Sequence, residues 1–503
     1  MKKLTKWFKW IDNNILKILI GAYIFLIPLY PKLPIRMVTY TYIAVRFEDL
    51  FMAVIVFVFF LQLLRKKITL NERFIRLFLL FWLAVFISFL FNRYVTEILP
   101  YKMLALLHSL RRIEYMIIFF IAGSVVKTKK DFFIFLSLSF VVFFIVTVYG
   151  IGQKFLGWPA VQTMNPEYAK GYILFLTPEA RISSTFAGHY DLAAYLVFFM
   201  PIIIGFFLYK KNAIYFILFL LGLFDLVLTA SRASYAAYLV SVIIFLSLFK
   251  KWKTLLAVIF FTVLFTASSK SLTSRLTRTF QVKQIFVNQQ TGQVVVPQNI
   301  TTKEVPAGTM YMQLNSSQIQ SGLDQTKVAN KELMIKNVRE RIREDAKKRG
   351  QILSAEEENM MIASITAGLK PISSLVPDIS FATRLQVEWP RAIMAFLKNP
   401  ILGTGPSSIT EATDNDYLRA LGEFGLLGFT LFALIIFNIA KKVFATATKV
   451  KTKENIIFFS FLFGLLALLI NATYIDVFEA SKVAYIFWLM AALFTIDLKY
   501  EKN

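Results

Sequence analysis

Long apolar runs alternate with short polar connections along this chain. Twelve runs stand out, at 15–31, 49–64, 76–92, 113–126, 132–152, 190–208, 213–230, 233–249, 254–268, 425–440, 456–473 and 482–497. Runs of about 18 apolar residues are long enough to cross a bilayer as helices. The pattern therefore predicts an all-α polytopic membrane protein with about 12 transmembrane helices. The first run is too long for the core of a cleavable signal and has no small-residue cleavage site after it, so it reads as a helix that stays. One segment breaks the rhythm. Residues 269–424 contain no such run, and within them "QIFVNQQTGQVVVPQ" alternates like a β-hairpin with a Thr-Gly turn. "KVANKELMIKNVRERIREDAKKRG" follows as a mixed-charge helix ending near Gly350. The expected organisation is nine helices over 1–268, a water-facing segment over 269–424, and three helices over 425–503. The middle segment divides into a small α+β insertion at about 280–370 and site-bearing helices at 381–424.

Charge orients this pattern. The basic clusters "MKKLTKWFK", "LLRKK", "KTKK", "YKKN", "FKKWK", "KKVFATATKVKTK" and "KYEKN" fall in alternate connections. Lysine and arginine are retained on the cytoplasmic side, so twelve crossings with both termini inside accommodate every cluster. The net charge of +25 is thus assigned to loops facing anionic lipid, with membrane lipids and not nucleic acid as the partner. The chain has no cysteine, which excludes disulfides, zinc–thiolate sites and cysteine nucleophiles. Its two histidines, His108 and His189, are too few for a histidine-rich metal centre.

The opposite connections face outward, and their polarity gathers in four places. These are "RISSTFAGHYDLAAYL" (181–196), "TASRASYAAYL" (229–239), "RLQVEWPRAIMAFLKNPILGTGP" (384–406) and "ATDNDYLRALGEFGLLGF" (412–429). Arg232 occupies a turn of only a few residues between two helices. A rigidly held guanidinium offers a planar fork that suits phosphate or carboxylate. Arg384 and Arg391 are seven residues apart and share one face of an α-helix, with Glu388 between them. Asp414 or Thr413 can cap the helix that carries Tyr417, and Gly425 and Gly428 allow the chain to bend on entering the membrane. Asp225 lies two turns below Arg232 and is placed to pair with it. Glu48 and Asp49 begin the second span on the outer side, where contact with sugar and helix capping explain them equally well, and His108 reads as an interfacial side chain beside Arg111 and Arg112. Several fixed arginines on one side suggest a polyanion site.

The segments "LTASRASYAAYL", "RLQVEWPRAIMAFLKNPILGTGPSSI" and "DNDYLRALGEFGLLGF", preceded by "STFAGHYDLAAYL", resemble in order and spacing the signature segments of the O-antigen ligase and O-antigen polymerase superfamily over about residues 181–445. The resemblance implies a GT-C-like helical enzyme of the cytoplasmic (inner) membrane. Such enzymes move glycan from an undecaprenyl-diphosphate carrier to a hydroxyl of an acceptor glycan or lipid on the outer face. It implies that Arg232 and Arg384 are important. Ligases carry a histidine just before the asparagine that matches Asn415, where this chain has Asp414, and that departure points to a polysaccharide polymerase over a ligase. The chemistry then calls for cations at the leaving diphosphate, for which Arg232, Arg384, Arg391 and Arg181 are candidates. It also calls for a base at the attacking hydroxyl, for which Asp414 is the candidate, with His189, Asn415, Asp416 and Tyr417 as further substrate contacts. Residues 414–416 read D-x-D, a metal-holding pattern in many glycosyltransferases. Helix capping accounts for it equally well and the leaving group is already a good one, so no metal or other cofactor is expected. A rival class, a flippase or transporter of the same lipid-linked sugars, would need charge near the middle of the membrane; here Asp225 is the main exception to apolar span interiors.

Overall fold

The computed structural model describes residues 2–37, 44–68, 70, 72–163, 171–178, 180–277, 280–288, 294–295, 312–313, 335–336, 338–340, 342–343, 346, 354–367, 369–377, 381, 383–409, 413–450 and 453–496. These fall into two units, 1–273 with 391–503, and 274–390.

The first unit is helical. Its helices are α1 (Lys2–Leu29), α2 (Phe47–Leu64), α3 (Glu72–Tyr94), α4 (Lys102–Val125), α5 (Lys129–Phe155), α6 (His189–Lys210), α7 (Ala213–Thr229), α8 (Arg232–Leu248) and α9 (Trp252–Ser268). The short α10 (Lys270–Thr277) follows and runs into the second unit. Each of the twelve apolar runs lies in a helix of this unit, the last three in α13, α14 and α15 below. Among the described residues, six helices are long and apolar enough to cross a membrane, or seven if the pair Trp252–Ser268 and Lys270–Leu276, bent by 95°, counts as one. The chain is a multi-pass membrane protein. The fourth run begins later than its helix: α4 starts at Lys102, so residues expected in an outward loop, His108 among them, are helical.

Burial separates the centre from the lipid face. Every residue of the last helix, Ser481–Thr495, is buried, as are fifteen of the twenty-two in α6. A helix that is apolar all round belongs at a centre. By contrast Leu256, Phe260 and Val263 of α9 are exposed, as lipid-facing side chains are. Small β-pairs decorate the ends: β1 (Pro34–Met37) pairs antiparallel with β2 (Ala44–Arg46), and β3 (Ala160–Val161) with β4 (Ile173–Leu174).

The second unit contains a four-stranded sheet. Its strands are β5 (Phe280–Asn288), β6 (Val294–Val295), β7 (Met312–Gln313) and β8 (Leu369–Pro377), in the order β6-β5-β8-β7. The expected hairpin is present as β5 and β6, with Phe286 opposite Val295; its Thr-Gly turn lies outside the described residues. Strand β5 also pairs along its whole length with distant β8, which no local pattern marks. Of the expected mixed-charge helix, the described residues between 335 and 346 are helical. Helix α11 (Ala355–Ala367) follows. Ser354 caps it, and its backbone N–H and hydroxyl donate to Glu357, holding that carboxyl below its usual range.

The chain then forms a π-helical turn at Arg384–Glu388 before α12 (Trp389–Lys398). Pro390 has no N–H and its ring collides with the carbonyl four residues back, so the ladder widens ahead of it. The seven-residue spacing of Arg384 and Arg391 therefore does not put them on one α-helical face. Helix α13 (Asp416–Lys449), α14 (Asn455–Asn471) and α15 (Ser481–Thr495) complete the chain.

Candidate functional site

Helix α13 is broken at Gly425, where φ is +63° and ψ is −168°, a conformation almost confined to glycine. The break leaves backbone N–H groups without helical acceptors. The loop after α12 supplies them: Leu426 donates to the Pro400 carbonyl at 2.8 Å and Leu427 to that of Ile401 at 3.2 Å. In return Thr404 and Gly405 donate to the carbonyls of Gly422 and Glu423. Helix α3 holds the same loop, with Ser88 donating to Leu402 and Asn92 to Gly403. The bend expected at Gly425 is thus present, and "NPILGTGP" is the piece that fills it.

Just before α13, Asn415 is the cap, and not Asp414 or Thr413. Its Oδ1 accepts from Tyr417 and Leu418, and its Nδ2 donates to the Thr473 carbonyl. The reason is conformational. Asp414 sits in the left-handed region, φ +49°, and Asn415 is the first extended residue ahead of the helix, where a cap must be.

What holds this arrangement is the short connection 472–480 between α14 and α15. The Asp476 carboxylate accepts the backbone N–H groups of Thr413, Asp414 and Asn415 at 3.0–3.1 Å. Asp416 reaches the other way and accepts from Val477 at 2.7 Å and Phe478 at 3.2 Å. Its own N–H donates to Ala472. Arg419 lies 3.1 Å from Asp476, and Arg112 of α4 pairs with Glu479 while covering the Phe424 ring. Each segment's carboxylate satisfies the other's backbone. Asp416, a D-x-D residue and an expected substrate contact, spends its oxygens on this clamp. No group of three or more His, Cys, Asp or Glu residues able to hold a metal ion occurs among the described residues.

The same connection gathers the other predicted segments. Ala230, at φ +48°, and Ser231 turn the chain from α7 into α8, whose first residue is Arg232. Ser231 and Ser234 share a hydrogen bond of 2.8 Å, and Ser234 donates to Asn471 at the end of α14. Lys482, only 1% exposed, donates to the carbonyls of Pro28, Tyr30 and Thr185 at 2.9, 2.7 and 2.6 Å. It thereby fastens the 181–188 segment. There the Arg181 guanidinium lies over Tyr190 at 5.5 Å, and the His189 ring is 4.0 Å from the same tyrosine. Tyr417 donates to the Leu469 carbonyl. Ser234 and Tyr417 thus bond to α14, residues 413–415 to Asp476, and Lys482 to Thr185. Arg391 belongs to α12 in this unit. Arg384 lies in the other unit, 3% exposed.

One expectation is corrected. Asp225 does not pair with Arg232. It is fully buried, neither carboxylate oxygen has a hydrogen-bond partner among the described residues, and it faces α5, where a Cβ on Gly150 would lie 2.5 Å from its Oδ2. His108 lies in α4. Its Nε2 is enclosed, close enough to Arg111, Arg112 and Arg419 to feel their charge. The sequence analysis missed Asp476, Glu479 and Lys482. Their signal was present: three ionisable residues in seven positions between two apolar helices. No protein-family model and no curated protein matches the chain.

Proposed function

We propose that this chain is a membrane glycosyltransferase that transfers or polymerises lipid-diphosphate-linked glycan repeats on the outer face of the cytoplasmic membrane. The observation that supports the reading most is that the Asp-Asn-Asp stretch bonds to Asp476 of the α14–α15 connection while Ser234, just after the serine–arginine turn, bonds to Asn471, the last residue of α14. These are the segments that carry the proposed cation and base. In this reading all twelve apolar helices cross the membrane in a GT-C-like arrangement. The shortest, of 15–17 residues, are about 22–25 Å long at 1.5 Å per residue, near the lower limit for a span.

The reaction follows from the residue types. The acceptor hydroxyl attacks the anomeric carbon of the donor sugar, and the bond to the diphosphate oxygen breaks. The departing diphosphate carries the negative charge away toward Arg232, assisted by Arg391, while the hydroxyl proton passes to Asp414. Asp414 in place of a ligase histidine favours a glycan acceptor, hence a polymerase. The test is transfer from a lipid-diphosphate glycan in reconstituted membranes at matched expression. Arg232→Lys keeps the charge and loses the fork, so it is expected to fail nearly as badly as Arg232→Ala, by about 100-fold. Asp414→Asn is expected to be similarly impaired. Near-normal turnover by both Arg232→Lys and Asp414→Asn would overturn the reading.

A further inference from the structure

The connection between α1 and α2 brings a second set of charged side chains together, apart from Arg232 and Asp414. Lys32 and Arg46 lie at the base of the β1–β2 pair, where Pro34 is opposite Arg46. They are 5% and 8% exposed. Neither side chain donates a hydrogen bond to any described residue: Lys32 has none, Arg46 bonds only through its backbone N–H to Asp49, and its enclosed Nε has no partner. The nearest carboxylate to Arg46 is Glu48, at 3.9 Å, too far for a hydrogen bond. Lys32 feels the charges of Arg46, Glu48, Asp191 and Arg111. Burial holds its ammonium below the usual lysine range, and Arg46 adds to that effect. Lys482 also belongs to this cluster, but its three donors are already committed to the carbonyls of Pro28, Tyr30 and Thr185.

Two buried cations with unused donors are an expensive arrangement for a protein to keep. Buried polar groups are almost always hydrogen-bonded, and a buried charge without a partner costs several kcal/mol in general. Around Lys32 the cations Arg46, Lys482 and Arg111 are interleaved with the carboxylates Glu48, Asp49 and Asp191. Its unused donors are those of an ammonium and of a planar fork, which together complement an oxyanion.

We infer that Lys32 and Arg46 form an oxyanion-binding site that takes a phosphate or a carboxylate. Two sources share that chemistry, a phosphorylated lipid headgroup and an acidic sugar. The site does not depend on the glycosyltransferase reading, since binding is measured without turnover. The full-length protein in discs of neutral lipid is titrated with inorganic pyrophosphate, with glucuronate and with glucose, following thermal unfolding and direct binding. Saturable binding of pyrophosphate or glucuronate but not glucose is expected, the tighter of the two naming the source. Lys32→Met and Arg46→Met are each expected to weaken it by about tenfold or more, since a hydrogen bond to a charged group is lost. Lys253→Ala, at an exposed position of α9, is expected to retain it. Without anion, Lys32→Met should keep or raise the unfolding temperature, because an uncompensated buried charge has gone. Four results would each overturn the inference: no saturable binding of either anion, unchanged affinity in both methionine variants, loss of binding in Lys253→Ala, or a lower unfolding temperature for ligand-free Lys32→Met.

Discussion

At the scale of single residues, the reciprocal clamp between Asp476 and Asp416 decides where Asp414 stands. Asp476 alone satisfies three successive backbone N–H groups. Leaving buried donors unsatisfied costs about 1–3 kcal/mol each, and Arg419 would lose its partner as well. Asp476→Ala is therefore expected to destabilise the protein by at least about 3 kcal/mol. The loss should concentrate locally, with amide hydrogen exchange at 413–416 speeding up before the rest of the bundle changes. Uniform exchange across the protein would show that the clamp is not what orders this segment. Little of this could be read beforehand. A carboxylate that accepts from backbone leaves no signature in its partner's sequence, because every non-proline residue has an N–H. The second aspartate of the D-x-D pattern serves the fold.

At the scale of helices, glycine positions make packing testable. A Cβ on Gly464 of α14 would lie 2.5 Å from the Phe198 carbonyl oxygen of α6, whereas a Cβ on Gly123 of α4 would meet nothing within 4 Å. Gly464→Ala must push two helices apart and is expected to cost about 1–3 kcal/mol. Gly123→Ala should be neutral or stabilising by up to about 1 kcal/mol, since it removes a flexible residue from a helix interior. Thermal unfolding in one detergent separates the two; equal effects would mean that α6 and α14 do not pack this closely. Gly425→Ala should be worse than either. It combines a glycine-only conformation with a Cβ 2.3 Å from the Ile401 carbonyl, and strain of that kind alone costs about 1–3 kcal/mol. Loss of well-folded protein on expression is the expected readout. The bend at Gly425 could be anticipated from the glycine-rich start of an apolar run. That the preceding loop fills the bend could not, because the pairing of Pro400 with Leu426 depends on where α12 delivers the chain.

At the scale of the whole molecule, the absence of cysteine makes orientation directly measurable, since a single introduced thiol has no background. The alternation of basic clusters predicts that residues 269–424 lie outside and the α8–α9 connection inside. In spheroplasts, Asn359→Cys in the second unit is expected to react with a membrane-impermeant thiol reagent, and Lys250→Cys only after lysis. Both positions are exposed in the structure. Reversed labelling would invert the topology and move the Arg232 and Asp414 end to the cytoplasm, where the proposed donor glycan would not be.

Sequence alone was enough for the helical, multi-pass class and for the placement of each apolar run in a helix, because apolar periodicity is a local property repeated over some twenty residues, as in α5 and α6. It also located the polar segments around Arg181, Arg232 and Asp414, since charge is conspicuous against so apolar a background. Tertiary structure decided the rest. Asp476 and Lys482 organise those segments through bonds to backbone atoms far away in the chain. Asp225 turns toward Gly150 and away from Arg232. Proline 390 resets the phase between Arg384 and Arg391. Lys32 and Arg46, unremarkable as two basic residues among 56, stand out only once burial removes water and leaves their donors unanswered. Each of these outcomes depends on which groups meet after the helices pack, and a pattern confined to neighbouring residues carries no record of such meetings.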